Sequence, residues 1–328
     1  MIKKMLALAV VMVLAPPAAR AEPITSMFVF GDSLSDQGNA FLLTGGAFPP
    51  APYAGRASNG AVAVERLADR LGVALAPAAL GGTNYAVVGA ATGPVNIPGT
   101  PIVTDNSAAV QYGLPVLAGT GIINQALEFA STGPVADPAH SLFVVWGGPN
   151  DLFIDPSAAA AANAATNLAN AIGLLYGNGA RRFLVPNLPD LSLTPEGRAQ
   201  SPVDQAALRA LSLFFNFGLG LALDSLDALP GIDITRFDTF AQLTAIANNP
   251  SAFGLANAED ACLSIGPGGA SLCADPSTYV FWDSLHPTTA AHAVLGDALA
   301  AAVPEPSLVL LLGAGLVGLK GFARRRVQ

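Results

Sequence analysis

Phe28-Val29-Phe30-Gly31-Asp32-Ser33-Leu34-Ser35-Asp36-Gln37-Gly38-Asn39 decides how the rest of the chain is read. Met27 to Phe30 are apolar and β-favouring, and Gly31-Asp32-Ser33 breaks the run, so Ser33 is expected where a strand end turns toward a helix. In an open α/β sheet that position opens into a crevice, and the N–H groups of the following turn face any anion held there. Ser33 therefore suits a nucleophile, although Asp and Ser at such a turn also suit an ordinary helix N-cap. A serine hydroxyl is a weak nucleophile alone, so the first reading needs a base, an orienting group and oxyanion donors elsewhere.

A base and an orienting group stand together near the other end, in Tyr279-Val280-Phe281-Trp282-Asp283-Ser284-Leu285-His286-Pro287. Asp283 and His286, three residues apart on one bend, can set a carboxylate against imidazole Nδ1 and leave Nε2 facing a serine. His140 and His292 have no comparable setting, and His292 falls in a helical run as an exposed or packing residue.

Apolar runs and helical stretches alternate between these ends. Val62 to Leu71, Ile122 to Ala130, Ala158 to Tyr176, Asp204 to Leu229 and Phe240 to Ala247 read as helices. Ser141 to Trp146, Arg182 to Pro186 and Ile232 to Phe237 read as strands. That alternation predicts an α/β chain, a three-layer α/β/α sandwich with a mainly parallel, flavodoxin-like sheet. Phe48 to Tyr53 is expected to line the cleft entrance, and the Gly-, Pro- and Asn-rich stretch from Gly93 to Gly121 to form a long loop. Phe214, Phe215 and Phe217 read as core rather than as an acyl pocket.

The two ends differ in composition from the body. Lys3 and Lys4 precede an uncharged run from Met5 to Ala19, and Ala19-Arg20-Ala21 forms a small-x-small site, so residues 1–21 read as a secretory signal peptide. Residues 22–303 hold eight Arg, no Lys and 22 acidic residues, a formal charge of −14 against −8 for the whole chain. Such a body is a poor partner for nucleic acid or an anionic membrane. With export, Cys262 and Cys273 suit a disulfide stapling a Gly/Pro-rich surface loop, two free thiols being the alternative. A zinc site is not expected, because two thiols without a nearby His fall short of four ligands.

Gly31-Asp32-Ser33-Leu34, Asn84-Tyr85-Ala86 leading to Gly89, Gly148-Pro149-Asn150-Asp151 and Asp283-x-x-His286-Pro287 follow one another in the chain. Together they resemble the four blocks of the GDSL family of serine esterases and lipases, the SGNH hydrolases. The resemblance spans Phe28 to about Ala302 and implies a nucleophile at Ser33, a base at His286 and its orienting carboxylate at Asp283. It also implies an oxyanion hole formed by the N–H groups of Ser33 and Gly89 and the amide of Asn150, with no metal or organic cofactor. The Gly-x-Ser-x-Gly elbow of α/β-hydrolases is absent around Ser33.

After the body, Pro304-Glu305-Pro306, an uncharged run from Ser307 to Leu319 and Arg324-Arg325-Arg326 resemble a PEP-CTERM sorting signal. Residues 304–328 would then be a sorting tail cleaved by an exosortase-type enzyme, with transient membrane contact through 307–323, and the body would reach the surface or exterior of a Gram-negative cell. A permanent tail anchor is the alternative. The expected activity is hydrolysis of an ester, lipid or acylated carbohydrate, through an acyl-enzyme. Acyl transfer by the same residues and a non-catalytic surface protein of the same fold are the competing readings.

Overall fold

In a computed structural model, residues 23–132, 135–266 and 269–304 are described; the expected signal peptide and all but the first residue of the expected tail lie outside them. In chain order the body begins with β1 (Ser26–Gly31), α1 (Asn39–Leu43) and α2 (Ala63–Leu71), then β2 (Ala90–Asn96), β3 (Val103–Asn106), α3 (Ser107–Gln111) and α4 (Ile122–Ser131). It continues with β4 (Ser141–Trp146), α5 (Pro149–Ile154), α6 (Ala158–Gly177), β5 (Arg182–Pro186), α7 (Pro195–Arg198), α8 (Pro202–Leu226), β6 (Asp233–Phe237) and α9 (Thr239–Asn248). β7 (Asn257–Ala261), β8 (Leu263–Gly266), β9 (Gly269–Leu272), β10 (Tyr279–Phe281) and α10 (Thr289–Ala302) complete it.

The main sheet has the order β1-β4-β5-β6 and is parallel throughout. Residues 83–87 run along the free edge of β1 through the bonds Val29 N–H to Thr83 O, Tyr85 N–H to Val29 O and Val87 N–H to Gly31 O. Because successive side chains point to opposite faces, each strand feeds two cores. Phe30, Phe143, Val145 and Phe183 pack with residues of α4, α6 and α8, while Met27, Val29, Leu142, Val144 and Trp146 pack with α2 and α10. This is the expected three-layer α/β/α arrangement.

The stretch from Gly93 to Gly121 departs from the expected loop. It contains most of β2, then β3 and α3, with β2 and β3 paired antiparallel. Its order comes from polar tertiary bonds that leave no periodicity in the sequence. The Asp105 carboxylate accepts from the N–H groups of Gly119 and Gly121 and from Asn124 Nδ2, and Asn106 caps α3 through Ala109 N–H. The aromatic group on α8 also divides: Phe215 is buried against Gly148, but Phe214 and Phe217 are exposed.

The Cys262–Cys273 disulfide closes the β8–β9 hairpin, with Cα atoms 4.7 Å apart. Backbone bonds from Cys262 N–H to Phe281 O and from Leu263 N–H to Trp282 O dock the hairpin's base beside the Asp283 bend.

Candidate active site

The ends of β1 and β4, the end of the 83–87 edge segment and one bend come together around the site. Gly31 ends β1 where a Cβ would meet the Trp146 carbonyl at 2.5 Å, so only glycine lets the two strand ends run this close. The Gln125 carboxamide clamps it from both sides, accepting from Gly31 N–H at 2.8 Å and donating to Gly31 O at 2.8 Å. Asp32 and Ser33 then turn off the strand into a crevice.

The Asp36 carboxylate organises that turn. It accepts from the N–H groups of Gly38, Asn39 and Ala40, and from Val88 N–H at 2.9 Å, tying the Ser33 turn to the segment that carries Gly89. Asn39 adds two further bonds to the carbonyls of Asn84 and Ala86. Gly89 has φ +80°, and a Cβ there would lie 2.7 Å from Ala108 N and Asn106 Oδ1, so another residue would push the backbone out of place. Among the described residues neither the Ser33 nor the Gly89 N–H has a hydrogen-bond partner.

His286 Nε2 lies 2.9 Å from Ser33 Oγ, across 253 positions of sequence. Its Nδ1 lies 2.8 Å from Asp283 Oδ2. Asp283 Oδ1 accepts from the N–H groups of Leu285 at 2.8 Å and His286 at 2.7 Å, and Oδ2 also accepts from Tyr53 O–H at 2.8 Å. Burial works against the Asp283 carboxylate, but the facing imidazole and these donors outweigh it and hold the group at about 2. Burial likewise works against a charged His286, yet the Asp283 charge raises it above its ordinary value.

Asn150, at the start of α5 after β4, is held on both ends of its amide. Its Nδ2 donates to Ala90 O at 3.0 Å, and its Oδ1 accepts from Ser107 O–H at 2.9 Å. One Nδ2–H is left over. Asp151 turns the other way and accepts from Thr92 N–H and Thr92 O–H. Ser33, Gly89, Asn150, Asp283 and His286 all line one cavity of about 1010 Å³, so every site residue expected from the sequence faces the same space. The loop from Phe48 to Tyr53 borders it as expected.

Two contributors had no sequence signal: Tyr53, which meets a carboxylate 230 positions away, and Ser107, which fixes the Asn150 amide. Asp32, which stands in the first sequence block with no role assigned to its side chain, is buried with only Leu34 N–H on Oδ1; burial pushes its carboxyl up to about 7. His292 is buried and its Nδ1 accepts from Ala63 N–H, which makes it a packing residue. Among the described residues no group of His, Cys, Asp and Glu could hold a metal ion. A hydroxyl facing an imidazole that is braced by a carboxylate can lose its proton while attacking an electrophilic carbon.

The model of the GDSL-like lipase/acylhydrolase family matches residues 27–299, and that of the PEP-CTERM protein-sorting motif matches residues 302–326. The chain belongs to the GDSL-like lipase/acylhydrolase family. It is similar to a GDSL esterase/lipase of Arabidopsis thaliana, 28% identical over 83% of this chain and 83% of the relative. The phosphatidylcholine-sterol acyltransferase of Aeromonas hydrophila is 28% identical over 85% of this chain and 90% of that protein. The thermolabile hemolysin of Vibrio parahaemolyticus is 29% identical over 85% of this chain, which spans 64% of the hemolysin's length. This GDSL hydrolase is thus a member of a family of carboxylic ester hydrolases, and its sorting motif indicates export to the cell surface in Gram-negative bacteria.

Proposed function

We propose that the body is an exported ester hydrolase working through an acyl-enzyme. Ser33 Oγ attacks the ester carbonyl as His286 Nε2 takes its proton, and Asp283 holds the imidazole in the tautomer that leaves Nε2 free to accept. The oxyanion is met by the N–H groups of Ser33 and Gly89 and by the free Nδ2–H of Asn150. His286 returns the proton to the departing alcohol oxygen. Water, deprotonated by the same nitrogen, then releases the acid and restores Ser33.

The observation that carries this reading is the unbroken relay from Ser33 Oγ through His286 to Asp283, at 2.9 and 2.8 Å. Ser33→Ala should abolish hydrolysis of a p-nitrophenyl ester with thermal unfolding unchanged; persistent turnover would remove Ser33 from the chemistry. Acyl transfer to a sugar or lipid hydroxyl in place of water is a second reading, favoured by the similarity to the phosphatidylcholine-sterol acyltransferase. Product analysis with an added alcohol separates the two.

The same proposal assigns residues 1–21 to a signal peptide, 22–303 to the hydrolase and 304–328 to a tail removed by an exosortase-type enzyme. Until that cut the tail tethers the body through 307–323. The sorting-motif match supports this assignment.

A further inference from the structure

The charged and titratable side chains that line the cavity are unbalanced. Asp32, Glu196, Asp283 and His286 are among its walls, and no Lys or Arg is. Asp283 and His286 belong to the relay. Asp32 is buried, and its Oδ2 has no hydrogen-bond partner. Glu196 is exposed and the proposed reaction does not use it.

Glu196 sits on α7, and the Asp283–His286 bend holds it in place. Its N–H donates to Ser284 O at 2.9 Å, and Ser284 O–H donates to Oε2 at 3.1 Å. Oε1 has no donor among the described residues. Tyr112 lines the same cavity and is exposed, its ring centroid 4.9 Å from that of Phe48. Burial pushes the Tyr112 phenol up, and the Asp283 and Glu196 charges add to the rise. Burial lowers His286, but the Asp283, Asp32 and Glu196 charges raise it above its ordinary value. The charge of Glu196 is therefore felt both at the base and at an open aromatic ring. A carboxylate and the face of such a ring both attract a cation, and a wall without Lys or Arg offers an anion no partner.

We infer that Glu196 sets a charge preference for the substrate, favouring an ester that carries a cationic group and disfavouring one that carries an anionic group. The exposed ring of Tyr112 is the second contact for the cation. The inference rests on the proposed function and specifies the substrate class of that same site.

Butyrylcholine and 3,3-dimethylbutyl butyrate share one shape and differ by a single positive charge. A unit charge about 7 Å from a carboxylate changes affinity about threefold in a water-like medium, and more where water is excluded. Glu196→Gln keeps the acceptor for Ser284 and removes the charge. It should lower the kcat/KM ratio of butyrylcholine to the neutral ester at least about threefold, any change common to both cancelling. An anionic ester, p-nitrophenyl hydrogen succinate, should gain by a similar factor against p-nitrophenyl butyrate. Tyr112→Leu should lower the first ratio and leave the second where it is. Both ratios indifferent to Glu196→Gln, in a folded enzyme that hydrolyses these esters, would overturn the inference and leave the chemistry standing. Hydrolysis of neither butyrate ester, with calorimetric binding that favours butyrylcholine and loses this preference in Glu196→Gln, would refute the proposed chemistry and leave charge selection standing.

Discussion

Asp283→Asn tests the orienting role with little change of shape. The two backbone donors of Leu285 and His286 both point at Oδ1, at 2.8 and 2.7 Å. An asparagine must place its carbonyl there, because the reverse flip would face an NH₂ against two N–H groups. Leaving two buried donors unsatisfied costs about 1–3 kcal/mol each, so the flip is fixed by at least about 2 kcal/mol, a factor of about 30. The NH₂ then occupies the Oδ2 position, 2.8 Å from His286 Nδ1 and 2.8 Å from Tyr53 O–H. Tyr53 can rotate its hydroxyl and accept; Nδ1 lies 2.8 Å from this NH₂ and 3.0 Å from the Oδ1 position, and because the oxygen there already accepts two N–H bonds, Nδ1 accepts from the nearer NH₂. The imidazole proton moves to Nε2, which faces Ser33 Oγ at 2.9 Å as a donor and can no longer act as base. The expected loss is about 10⁴ in kcat, or about 5.4 kcal/mol of barrier, for a triad of this kind. Hydrolysis of p-nitrophenyl butyrate, read beside thermal unfolding, measures it. A folded variant retaining kcat within about tenfold of wild type would refute the tautomer argument.

Other perturbations separate the remaining roles. Asn150→Ala should lower kcat by about 10² to 10³, the usual loss of one oxyanion donor. Ser107→Ala, which frees only one end of the same amide, should cost less than Asn150→Ala; a change in KM alone for both would make Asn150 a binding residue. The base acts when neutral, and Asp283 raises His286 above its ordinary 6.5, so kcat/KM should fall with decreasing pH along a limb centred above 6.5. Asp32 contributes to that rise, so Asp32→Asn should move the limb to lower pH, and an unmoved limb would exclude coupling between the two groups.

Several parts of this architecture are legible in the chain itself. β1 and β4 are continuous apolar runs ending in glycine-containing turns, because strands buried on both faces need no polar alternation. Asp283 and His286 share one bend, so their pairing is local and visible at three-residue spacing. Tyr53 and Ser107 are different, because each acts across a long separation through one hydroxyl, and a lone Tyr or Ser has no distinguishing spacing. The order between Gly93 and Gly121 was hidden for a related reason: it is built on Asp105 and Asn106 bonds to backbone groups, which a hydropathy pattern does not register. The split of Phe214, Phe215 and Phe217 between core and surface follows from helical rotation, as only one of them faces Gly148.

The central claim is that Ser33 is an activated nucleophile because a distant imidazole reaches it. Treatment with a fluorophosphonate, followed by mass mapping of the adduct, tests this most directly. The account predicts one covalent label on Ser33 in the wild-type protein and its loss in a folded His286→Ala variant. Ester turnover by a protein whose Ser33 stays unlabelled, or labelling of Ser33 that is indifferent to His286, would contradict it.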